Sequence, residues 1–267
     1  MDTYDYWIAR AQRSAAQAYN SQEKRTATYL KAYRGAYADL EKETAALYAK
    51  LSRNGKLSLT ELYKYNRYKV YLREVKGICS HLARGEIKFM DSSFAGLYEE
   101  VYRATGKIGG IDFTKVPKKT LAKVLEHPWS GENYSSRVWA NRDLLVRHAS
   151  QTVVRGAVKG QSITDMSREL RGHVESSAYN ARRLIRTESM HFINQGQIDG
   201  YKRLGIKEVN ILIAEDERLC DECRENAAGN PYPVEEAQLL LPTHPNCRCT
   251  YAPTRAAIDS ALESLLA

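Results

Sequence analysis

The sequence predicts a mainly α protein with a small α+β C-terminal part: a long helical N-terminal region, then a domain of few, short strands stapled by cysteine and histidine. Three observations carry that prediction. Tyrosine and apolar residues recur at helical spacing through most of the N-terminal region. The one clear β-branched run is "EVNILIA", Glu208–Ala214. Four of the five cysteines, with a histidine, crowd between Cys220 and Cys249.

The elements follow in order. Tyr29, Tyr33 and Tyr37 fall four residues apart, and Leu30, Leu40, Leu47 and Leu51 continue the stripe, which predicts a helix packed through its tyrosines. Asn54-Gly55 is read as the stop of that helix, because both residues tolerate the left-handed conformation of a C-terminal cap. Ser58-Leu59-Thr60-Glu61 fits a capping box and opens a second helix through "LYKYNRYKVYLREV", expected to end at Gly77. Cys79, alone beside Ile78, reads as a small buried apolar residue. Glycine, proline and serine gather from Thr105 onward and predict a linker with a short helix near Thr120–Glu126. Helical periodicity resumes at Trp139 and stops at Gly160. Ser162 caps a short helix expected to end near Gly172, and a longer one runs to Gly205.

Composition narrows the function classes. Hydrophobic residues at 43% suit a packed core and argue against wholesale disorder. The chain lacks the long apolar run of a membrane helix, and "MDTYDYWIARAQRS" has no signal-peptide pattern, so folding in a cytoplasm, where thiols stay reduced, is expected. Net charge divides unevenly: residues 1–150 carry +10 and residues 151–267 carry −2. A basic first half fits contact with a polyanion such as duplex DNA, and equally a solvated helical surface rich in lysine. Lys64, Arg67, Lys69 and Arg73 are the DNA-contact candidates.

The cysteine cluster is where chemistry is expected. Zinc takes about four ligands in a tetrahedron and favours thiolate and imidazole. Cys220 and Cys223 form a C-x-x-C pair, and His244-Pro245-Asn246-Cys247 supplies two more donors from a turn. An extended Cys247-Arg248-Cys249 is expected to aim its two thiols to opposite sides, so that one of them binds. The ligand set is therefore four of Cys220, Cys223, His244, Cys247 and Cys249, with His244 and Cys247 preferred in the second pair. Disulfide pairing within the loop is the competing reading. A catalytic zinc is the other: deaminases combine H-x-E with P-C-x-x-C, and His173-Val174-Glu175 stands ahead of Cys220 and Cys223. Leu219 replaces the proline, however, and His244, Cys247 and Cys249 are left without a role. The donor count favours a closed, structural site. Glu188 and His191, three apart on one helix face, form a possible acid–base pair or, more commonly, a structural contact.

The stretch "RLIRTESMHFINQGQIDGYKRLG…DERLCDECRENAAG…LPTHPNCRCTYAP" resembles the Mu F-like minor head proteins of tailed phages, the head-morphogenesis family. The resemblance rests on Arg186-Thr187-Glu188, on D-x-x-x-C-x-x-C from Asp216 to Cys223, and on His244 to Cys249. It extends upstream through "HPWSGENYSSRVWANRDLL" and "RGAVKGQSITDMSREL", and more loosely into the N-terminal helices. It implies a minor capsid protein without enzymatic activity. Such a protein is low in copy and internal to the head, is associated with the portal and with the major capsid or scaffolding protein, and contacts double-stranded genomic DNA without sequence preference. Assembly in the host cytoplasm, then residence inside the virion head, follows. Arg186 and Glu188 are expected to be structural. The domains expected are a basic helical region 1–110, a linker 111–137, and a head-morphogenesis domain 138–267 holding the cluster at 220–249. A deaminase-like zinc hydrolase and a DNA-binding module unrelated to capsids are the alternatives.

Overall fold

The computed structural model describes residues 2–215 and 219–266. Long helices dominate, and the strands are short and lie mostly near the C-terminus. The chain folds as two units, each gathered from separated stretches. The first comprises residues up to Thr26, Met90–Gly131 and the chain from Arg183 onward; the second comprises Ala27–Phe89 and Glu132–Arg182. This division cuts across the sequential one at 110 and 137, because two long helices each contribute one half to either unit.

Helix α1 (Thr3–Tyr29) is followed by α2 (Lys31–Leu51). Asn54-Gly55 does not merely stop a helix. It is the turn of a small hairpin in which β1 (Ser52–Arg53) pairs antiparallel with β2 (Lys56–Leu57). Both turn residues have positive φ, 52° and 72°, as a type I′ hairpin turn requires and as Asn-Gly provides. The N-cap half of the expected capping box is present: Ser58 Oγ accepts from Glu61 N at 3.3 Å and opens α3 (Leu59–Tyr63), while the Glu61 carboxylate accepts from Lys64 and Arg67. After a 3-10 turn at Lys64–Asn66, α4 runs from Arg67 to Ile108. The expected stop at Gly77 is therefore overturned. A glycine inside a helix costs only about 1 kcal/mol, and the buried stripe of Tyr71, Val75, Cys79 and Leu82 outweighs it.

The second unit packs α2, the hairpin, α3 and the first part of α4 against α6 (Tyr134–Lys159) and the first half of α7 (Ile163–Arg203). Leu40, Leu62, Val75, Leu145 and Leu170 fill its core, and Cys79 sits there as a buried thiol. Polar groups inside it are paired across helices. Tyr33 donates to Glu86 Oε2 at 2.7 Å, Thr44 and Tyr71 share a hydrogen bond at 3.0 Å, and Asn141 donates to the Ser177 carbonyl at 3.2 Å. Helix α6 ends at Gly160, left-handed at φ 64°. Gly172 does not end a helix; α7 passes through it, buried Leu170 and Val174 on either side holding the stripe in phase.

In the first unit the second halves of α4 and α7 cross closely. A Cβ on Gly196 would lie 2.7 Å from the Tyr98 carbonyl oxygen, and one on Gly200 would lie 2.7 Å from Thr105. These two glycines, one turn apart, are what let the backbones approach. Around them Phe94 stacks on Phe192 at 4.9 Å and Tyr98 donates to Asp199 at 2.7 Å. The short α5 (Lys118–Glu126) covers the expected linker helix. Beyond Gly205, β3 (Glu208–Leu212) is the centre of a three-stranded antiparallel sheet, between β4 (Tyr232–Pro233) and β5 (Thr250–Pro253). Only β3 was legible as a strand; β4 is two residues long and β5 is defined by its partner. Where β4 ends, the Asn230 side chain takes its place, accepting from Ile211 N at 2.7 Å and donating to Ile211 O at 3.0 Å. Helices α8 (Asp221–Ala228), α9 (Val234–Ala237) and α10 (Arg255–Leu266) complete the unit.

Candidate metal centre

Two local structures present the sulfurs. Cys220 is the N-cap of α8, its Sγ accepting from Cys223 N at 3.4 Å. C-x-x-C thus becomes a cap and the third residue of a helix start. On the other side, His244-Pro245-Asn246-Cys247 forms a tight turn closed by Cys247 N donating to His244 O at 3.1 Å. Proline at its second position and a left-handed Asn246, φ 65°, at its third are the pattern of a type II turn.

The five donors converge as two triads that share Cys223. Cys220, Cys223 and His244 lie within 4.8 Å of one another, and so do Cys223, Cys247 and Cys249. The second triad is wholly buried. Cys247 and Cys249 therefore turn to the same side, against the expectation that they diverge. Side chains alternate along an extended chain, so residues two apart share a face; it is Arg248 that points away. Its guanidinium lies 5.9 Å from the Tyr19 ring centroid.

The donor set fits one tetrahedral metal. Zinc–sulfur bonds of about 2.3 Å imply sulfur–sulfur edges of about 3.8 Å, and Cys223 Sγ stands 3.9 Å from Cys247 Sγ. Two tetrahedra sharing Cys223 would need more donors than these five. Cys223, Cys247 and Cys249 form the buried base of the site, with Cys220 or His244 closing it. All four cluster thiols are free. Hydrogen bonds from Cys249 and from backbone amides draw Cys247 down to about 5, while burial pushes Cys223 up to about 11. Donation to Cys247 raises Cys249. The buried triad thus places two further sulfurs, Cys223 and Cys249, beside the Cys247 sulfur.

The Arg-Thr-Glu triplet on α7 is structural in a specific sense: each residue ties down a different segment. Arg186 grips Glu23 of α1 with two bonds, 2.9 and 2.6 Å. The Thr187 hydroxyl accepts from Asn246 N at 3.1 Å, fixing the turn that carries Cys247. Buried Glu188 accepts from the Trp129 indole at 2.8 Å, and Trp129 stacks on His191 at 4.5 Å. Burial and nearby His127 hold His191 near 3, so its imidazole is neutral. Glu188 and His191 both contact Trp129. One turn on, Asn194 donates to the Cys249 carbonyl at 3.2 Å.

Other expected site residues fall elsewhere. Lys64 and Arg67 both pair with Glu61, at 3.2 and 2.8 Å; Arg73 pairs with its neighbour Glu74 at 3.2 Å, and Lys69 is exposed. His173 and Glu175 belong to the second unit and Cys220 and Cys223 to the first. The His173 ring packs against His148 at 4.4 Å, its Nε2 lies 3.5 Å from Glu169, and Glu175 is exposed. Neither belongs to the cysteine triads among the described residues. Asp216, which opens D-x-x-x-C-x-x-C, lies outside the described residues. Glu23, Trp129, Asn194 and Gln197 were not anticipated. For Glu23, Asn194 and Gln197 the signal was a polar residue inside a long helix, which becomes specific only when the partner segment is known; Trp129 lies in a turn and gave no such signal.

Comparison with known proteins agrees with this geometry. No curated protein and no solved structure matches the chain. The model of the Phage Mu protein F like family matches residues 147–252, a stretch that includes the R-T-E triplet and every candidate ligand. Over those residues the chain is similar to the Mu F-like phage head-morphogenesis proteins.

Proposed function

We propose that the protein is a minor head protein, present in few copies inside the phage head. In this reading it associates with the portal and with the capsid or scaffolding protein during assembly, and handles packaged DNA. The carrying observation is the gathering of the Cys and His donors into two triads that share Cys223, inside the family-matched stretch. The segment from Cys220 to Cys249 has short helices, a two-residue strand and little apolar mass, and a structural zinc gives it cohesion. A set of soft Cys and His donors clustered in two triads that share Cys223 supports a staple rather than a catalyst. The zinc when bound supplies folding energy; the chain's own residues shape the loop.

The +10 charge of residues 1–150 supports non-specific DNA contact. Pairing of Lys64, Arg67 and Arg73 does not oppose it, because surface ion pairs are worth about 0–1 kcal/mol and exchange readily for phosphate. The test is a pair of variants. Charge reversal at Lys64, Arg67, Lys69 and Arg73 is expected to weaken duplex binding and flatten its salt dependence, by about 0.9 in the log–log slope per phosphate lost. Those variants should still enter heads. Cys220→Ser is expected to reduce head incorporation while leaving DNA affinity intact. Salt-independent DNA binding, or normal incorporation of metal-free protein, would overturn the assignment.

A further inference from the structure

We propose that the buried polar face of α7 holds the His244–Cys249 loop in its ligating shape before metal arrives, which makes Thr187 and Asn194 positioning residues for the metal. The proposal rests on the structural-metal reading above.

Thr187, Asn194 and Gln197 are seven and three residues apart, so they line one face of the helix. All three are buried. Each commits a polar group to the backbone or side chains that follow His244, and none of these bonds is internal to the helix. Asn246 N donates to Thr187 Oγ1 at 3.1 Å, and Asn194 Nδ2 donates to Cys249 O at 3.2 Å. Gln197 Oε1 accepts from the Thr250 hydroxyl and from Tyr251 N at 3.4 Å. The first two contacts bracket the buried ligands: one falls immediately before Cys247, the other on Cys249 itself. Within the loop, the backbone turn is closed by the hydrogen bond from Cys247 N to His244 O. Asn194 Oδ1 is buried without a partner, so the side chain is kept for its donor alone. A buried amide that leaves its acceptor unsatisfied costs stability, and what it delivers in return is the position of Cys249. Outer groups that orient metal ligands are worth about 10–100-fold in metal affinity, because an oriented ligand need not be ordered at the moment of binding.

The test uses the full chain and zinc, with affinity measured by competition against a chromophoric chelator. Thr187→Val and Asn194→Ser are each expected to weaken binding by about 10–100-fold, and Thr187→Ser to restore most of the loss. The control is Ser189→Ala, which removes an equally buried hydroxyl that donates only to Ile185 O within α7. It is expected to lower the melting temperature of the metal-free protein and leave zinc affinity unchanged. Cobalt substitution reports ligation directly: wild type and Thr187→Val should give the same tetrahedral thiolate spectrum once saturated. Unchanged zinc affinity in Thr187→Val and Asn194→Ser would overturn the proposal while leaving the metal centre standing. So would an equal loss in Ser189→Ala, because general destabilisation would then explain the effect. A wild-type chain that binds neither zinc nor cobalt would overturn the metal reading itself.

Discussion

Replacing Glu86 by glutamine should make the second unit more stable at neutral pH and remove a pH dependence that wild type shows. Glu86 lies in the core, 1% exposed, with Tyr33 donating to its Oε2 at 2.7 Å and its Oε1 without a partner. Burial pushes its carboxyl up to about 7 against an ordinary 4.5, the Tyr33 hydrogen bond offsetting part of the rise. An acid whose folded value is raised binds its proton more tightly in the folded state. Its protonated form therefore favours folding fully below about pH 4.5, and that favour is lost as pH climbs to about 7. The difference of roughly 2.5 units corresponds to about 3 kcal/mol, at about 1.4 kcal/mol per unit. Glutamine keeps an acceptor for Tyr33 and carries no charge, so Glu86→Gln should show none of this loss and exceed wild type by about 3 kcal/mol at pH 8. Urea unfolding of both proteins at pH 5, 6 and 8, with hydrogen exchange over residues 71–89 to locate the effect, would measure it. The difference between the two proteins isolates Glu86 from every other titrating group. Identical pH slopes would refute the reasoning, since they would mean that the carboxylate is solvated or paired after all.

Three further outcomes follow from the site and its supports. Cys223→Ser, which removes the thiol common to both triads, should abolish zinc binding, whereas Cys220→Ser or His244→Ala alone should leave a weaker site; elemental analysis of protein purified under reducing conditions distinguishes them. Gly196→Ala places a methyl 2.7 Å from the Tyr98 carbonyl and should cost about 1–3 kcal/mol in chemical unfolding, while Gly172→Ala, with open space around it, should be neutral or stabilising. Trp129→Phe removes the indole donor to buried Glu188 and should cost about 1–3 kcal/mol in chemical unfolding.

Local chemistry determined what the sequence alone revealed. Helical spacing placed the long helices, Ser58 and Ser162 placed two starts, Gly160 and Gly205 placed two stops, and β-branched Glu208–Leu212 placed the central strand. The five metal donors were legible because soft ligands at such spacing are rarely accidental in a chain with so few cysteines. Their shared side was also encoded, since Cys247 and Cys249 are two residues apart and alternation puts them together. What tertiary structure decided was everything that depends on a distant partner. Gly77 and Gly172 read as helix ends but lie inside α4 and α7, because packing on either side repays a weak local propensity. Asn54-Gly55 became a hairpin turn only because Ser52–Arg53 found Lys56–Leu57. β5 exists through its pairing with β3, and Asn230 completes that sheet from a loop. Thr187 and Glu188, adjacent in a motif, serve different segments, one at Asn246 and one at Trp129. A side chain's type is written in the sequence, but the segment that will satisfy its hydrogen bond is chosen by the fold, because burial makes an unpaired polar group too costly to leave to chance.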